Sequence, residues 1–149
     1  MIVVHQSVID AAREILSVAR KTLLEEGTHL PTAVLHTMDG MFPILLPFKN
    51  NKQKSALVEF VKQQAIERHA FAVTMVTCGR IVDSRTGEEE ESLVLATSIQ
   101  GGRPHLLVQS YVRGSDRHVI GFGEVKEGGL AAMPGQMMII PPWDEEVSH

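Results

Sequence analysis

The sequence predicts an α+β domain: a mainly antiparallel sheet of five to seven strands with two helices packed on one face, in the order α-β-β-α-β-β-β-β(-β). Three observations carry that expectation. Two segments of the 149-residue chain place apolar side chains every three or four residues, the spacing of a one-sided helix. Residues 71–125 are rich in β-branched side chains and are cut into strand-length pieces by Gly101-Gly102 and Gly114-Ser115. The length suits one domain with room for a core, taken as residues 1–143, followed by an acidic end at 144–149 that frays.

The first helix is expected over residues 7–26, where Val8, Ile9, Ala12, Ile15, Leu16, Ala19, Leu23 and Leu24 form one stripe. Ser7, with Asp10 three residues on, serves as its cap, and Gly27 suits the left-handed position after the last turn. Residues 32–47 then read as a hairpin. Asp39-Gly40 is a favoured two-residue turn, setting Met38 opposite Met41 and His36 opposite Pro43. Pro43 and Pro47 cannot donate to a strand ladder, which puts the second arm at an edge. A second helix is expected from residue 51 to about 69, with Leu57, Phe60, Val61 and Ala65 inward and Asn50 or Asn51 as its cap.

The remaining strands, at 71–84, 92–100, 103–113 and 116–125, form successive hairpins. A two-residue turn at Gly101-Gly102 sets Leu95 opposite Val108 and Thr97 opposite Leu106. On that register Leu93, Leu95 and Ile99 share a core face with Leu106, Val108 and Val112. Ser98, His105, Gln109, Tyr111 and Arg113 share the other, more polar face. Thr74, Cys78 and Arg80 point away from the apolar side made by Phe71, Val73, Met75 and Ile81. The last hairpin admits two registers: a two-residue turn sends Ile120 and Phe122 to the mixed face, and a three-residue loop sends them to the core. A further short strand is expected at 136–140, stopped by Pro141-Pro142.

Fourteen basic against eighteen acidic residues leave a net charge of −4, which argues against nucleic-acid binding driven by phosphate contacts. A single cysteine, Cys78, excludes an intramolecular disulfide and any metal site built on cysteine pairs. The N-terminal residues do not resemble a secretory signal, and no apolar run approaches the ~18 residues that span a bilayer. The expected setting is the cytoplasm, away from membranes.

Seven histidines invite a metal reading, but no His-Glu-x-x-His spacing occurs, and no metal is expected. P-loop, dinucleotide and serine-elbow patterns are equally missing, so no cofactor is expected. Cys78 with His105 is the one candidate nucleophile and base, the basis of an alternative reading as a small hydrolase or transferase. The plainer reading is a buried, inert thiol. Asn51, Lys52 and Lys54 stand at a helix start that could hold an anion, weighed against an ordinary solvated helix entrance. Met38, Met41, Met75, Met133, Met137 and Met138 read first as adaptable core fillers and second as a binding surface.

The preferred expectation is a small non-catalytic protein-interaction module of adaptor, immunity or phage-accessory type. It would bind a protein partner, or a second copy as a homodimer, through a sheet face lined by Thr74, Arg80, Ser98, His105, Gln109 and Tyr111. The C-terminal apolar segment, anchored by Trp143, is the other candidate surface.

Overall fold

A computed structural model of the chain describes residues 2–47, 50–82, 86–100 and 104–128. Helix α1 (Ile2–Glu26) is followed by strands β1 (Thr32–Thr37) and β2 (Gly40–Leu45), helix α2 (Asn51–Glu67), and strands β3 (Ala72–Val82), β4 (Glu89–Ile99), β5 (His105–Arg113) and β6 (Val119–Gly128). The described strands form one antiparallel sheet in the order β2-β1-β3-β4-β5-β6. The α+β class and the element order are as the sequence predicts. The strand expected at 136–140, Trp143 and the domain limit at 143 lie outside the described residues.

The helices do not share a face. Val61 and Ala65 of α2 pack with Ala33, Leu35, Val73, Met75, Val94, Ala96 and Leu106. Ala12, Leu16, Ala19 and Leu23 of α1 pack with Val76, Leu93, Leu95, Leu107 and Tyr111. Val73 and Val76 have opposite parity on β3, as do Leu106 and Leu107 on β5, so the two clusters lie on opposite sides of the sheet. The result is three layers, with α1 and α2 as the outer ones. The cause is visible in the strands: Leu93-Val94-Leu95-Ala96 and Leu106-Leu107 are continuous apolar runs, and all six residues of β1 are buried. Such runs need cover on both faces. Each fully buried leucine among them contributes about 1.5–3 kcal/mol.

Local register also departs from the expectations. In the first hairpin Thr37 pairs with Gly40 and His36 with Met41, so Met38-Asp39 forms the loop. The Thr37 hydroxyl accepts from Asp39 N–H and donates to the Gly40 carbonyl, and Gly40 takes φ 132°, which a side chain would strain. This is a shift of two residues and leaves the faces unchanged. Between β4 and β5 the shift is one: Ala96 pairs with Leu106 and Leu95 with Leu107. That slip moves Leu93 and Leu95 onto the same side as His105, Gln109 and Tyr111, and leaves Ser98 on the opposite side. In the last hairpin two irregularities replace a single register, so Phe122 opposes Tyr111 beneath α1 while Ile120 is exposed. Helix α1 starts ahead of Ser7, which is therefore not its cap. Asn50 does cap α2, its Oδ1 accepting from Gln53 N–H at 2.9 Å.

Candidate functional site

The residues expected to form an open binding face lie mostly under α1. Thr74 is fully buried, and His105, Gln109 and Tyr111 are each less than a tenth exposed. Gln109 is held at both ends: its Oε1 accepts from Arg20 of α1 at 3.0 Å and its amide donates to the Gly123 carbonyl at 2.8 Å. Ser98 is buried on the α2 side. Arg80 alone is well exposed, 3.8 Å from Glu89 at the far end of the β3–β4 ladder. The face assembles in part, and a helix covers it.

What these polar groups build is a row across the sheet. His36 Nε2 lies 2.8 Å from Thr74 Oγ1, which lies 2.9 Å from Thr97 Oγ1. Thr97 in turn pairs with His105 on β5. His105 Nε2–H donates to Glu127 Oε2 at 3.0 Å, and Glu127 accepts from Arg13 of α1 at 2.9 Å. His105 Nδ1 is buried without a hydrogen-bond partner among the described residues. Burial lowers His36 to about 4, so it is neutral at physiological pH. The His105 bond, followed by Arg13, holds the Glu127 carboxyl below its usual range despite some desolvation.

Cys78 and His105 are not brought together. Cys78 pairs with Leu93, which pairs with Gln109, whereas His105 lies four residues further along β5. Four residues of strand span about 13 Å. The thiol instead neighbours Tyr111, and burial pushes it above its ordinary pKa, away from the thiolate a nucleophile needs. At the start of α2, Lys52 is exposed and Lys54 half-buried, while the Asn50 cap occupies the Gln53 amide; Asn51 is the first residue of the helix.

The described surface does contain a site that the sequence did not single out. Helix α1 lies over β3 to β6, and beside it, above β1 and β2, is a groove of about 330 Å³. Ile15, Val18 and Ala19 of α1 form one wall. Val34 and Val76 form the floor, with Thr32, and Met41 and Pro43 of the edge strand form the other wall. Glu14 and His29 supply its ionisable groups. Val18 is 64% exposed and Met41 45%, so large apolar side chains stand in solvent around the opening. The sequence held two signals for it: a methionine-bearing edge strand without a charge, and Val18 set one residue off the buried α1 stripe. With one carboxylate and one imidazole on an otherwise largely apolar lining, the groove is suited to holding apolar groups.

Compared with known proteins, the chain matches no family model, no curated protein and no solved structure. Its class follows from its own architecture: a three-layer α+β protein with an apolar groove along one flank. Among the described residues no helix is long and apolar enough to cross a membrane.

Proposed function

We propose that this protein is a non-catalytic interaction module that receives apolar side chains of a protein partner in the groove between α1 and the β1–β2 hairpin. The single observation behind this reading is the groove itself, apolar along both walls and edged by exposed Val18 and Met41. It replaces the covered sheet face as the binding surface while keeping the role. The separation of Cys78 from His105 gives the hydrolase or transferase alternative no assembled dyad. A cytoplasmic setting suits the reading, because an unpaired Cys78 is compatible with a reducing compartment.

Affinity capture with wild type, Val18→Asp and Met41→Asp tests it. A protein retained by wild type and lost by both variants, all three folded to the same extent by circular dichroism, supports the groove as the docking surface. Equal retention by all three removes it.

A further inference from the structure

The partner chemistry can be read from the two ends of the groove, an inference that rests on the docking reading above. Glu14 is the lining residue nearest the N-terminus of α1, and His29 follows the C-terminus of that helix. The acid and the imidazole therefore stand toward opposite ends of one apolar trough. His29 Nδ1–H donates to the Leu30 carbonyl at 2.7 Å, leaving Nε2 for an outside partner. As an imidazolium it offers Nε2–H to a carboxylate.

A surface with one acid and one base at its two ends complements itself when turned by a half-rotation about its middle. That is the requirement of a two-fold contact, in which each patch meets an identical copy. The apolar part meets the same condition. Val18 stands 64% exposed on the groove wall, a knob beside a hole, and Leu45 and Leu30 nearby are 62% and 52% exposed. Leu45 pairs with Thr32, a groove residue, and so lies on the same side of the sheet.

Adding a strand at the β2 edge is a poorer solution. The Leu46 N–H to Pro31 carbonyl bond, at 2.8 Å, fixes which β2 groups bond inward, and by alternation Pro43 turns its ring nitrogen to the open edge. That nitrogen carries no hydrogen, so the edge lacks a donor at its centre. We propose that the groove binds a second copy of this chain, face to face about a two-fold axis, with Val18 seated in the partner's groove and Glu14 of each copy on His29 of the other.

Sedimentation velocity from about 1 µM to about 1 mM protein, at about pH 6, tests this. The expected result is a reversible monomer–dimer equilibrium. Glu14→Lys and His29→Glu should each weaken dimerisation about tenfold, and an equimolar mixture of the two variants should regain association, since both contacts then pair opposite charges. Val18→Asp should abolish the dimer while leaving the circular dichroism spectrum of the folded chain intact, because the side chain is exposed. A dimer indifferent to these substitutions overturns the arrangement. A wild type that stays monomeric yet binds anilinonaphthalene sulfonate, with binding lost in Val18→Asp, overturns the second-copy inference and leaves the docking groove standing. A monomer that does not bind the dye removes both.

Discussion

His36 on β1 and Thr74 on β3 meet side chain to side chain on the α1 face of the sheet, Nε2 to Oγ1 at 2.8 Å. Both are buried, and Thr97 extends the contact to β4. Three strands are thus tied by side chains as well as by their ladders, and burial of His36 within the tie disfavours its charged form, on which its pH response depends.

That dependence gives a pH prediction. Burial lowers His36 from 6.5 to about 4. Below pH 6.5 the unfolded chain takes up a proton that the folded chain refuses until about pH 4, so stability falls as pH drops through this window. The loss reaches about 3 kcal/mol at its lower end. Urea unfolding at several pH values should show His36→Gln losing less stability than wild type between those limits; parallel profiles would contradict the assignment.

Glu127 joins α1 to strands β5 and β6 on the face that α1 covers, accepting from Arg13 and from His105. Its carboxyl is held below the ordinary range, first by the His105 bond, so its contribution is present at neutral pH and is lost as pH falls through the depressed value. Because Arg13 and Glu127 are substantially solvated, Glu127→Gln should cost only about 1 kcal/mol at neutral pH. Hydrogen exchange should quicken in the N-terminal half of α1, and the stability difference from wild type should close in acid.

Cys78 should be a sluggish thiol. Burial raises its pKa, outweighing the lowering influence of Tyr111. Alkylation by iodoacetamide at neutral pH is expected to be at least about tenfold slower than for a free thiol, and to reach the free rate in denaturant. A native rate equal to or above that of a free thiol would reopen the question of a reactive centre.

Leu95 is fully buried between α1 and the sheet. Leu95→Ala should cost about 2–5 kcal/mol by denaturant titration, and Val94→Ala, on the α2 side, should also destabilise clearly. A sheet with one exposed face would make one of these nearly silent, so the pair measures the three-layer arrangement directly.

Much of this was legible along the chain. The helical spacing of α1 and α2, the order of elements, the edge position of β2 at Pro43 and the Asn50 cap are local properties, set by side-chain periodicity and by which residues can donate or cap. The parity of β3 was legible too, since Thr74 and Cys78 do lie opposite Val73 and Met75. The signal left unread was the continuous apolar run in β4 and β5, with Ala33-Val34-Leu35 in β1, which calls for cover on two sides.

Register and layering belonged to the tertiary structure. A one-residue slip between β4 and β5 reverses which side Leu95 shares with its neighbours, and turn residues alone do not determine it. Which face α1 covers is settled only when the whole sheet offers it Val76, Leu93, Leu95 and Leu107 at once. By itself the sequence determined what each segment is, because helix and strand follow from neighbouring residues. Only the folded chain decided what each segment hides, because burial is shared among residues brought together from distant positions, and the groove beside α1 is what that sharing left uncovered.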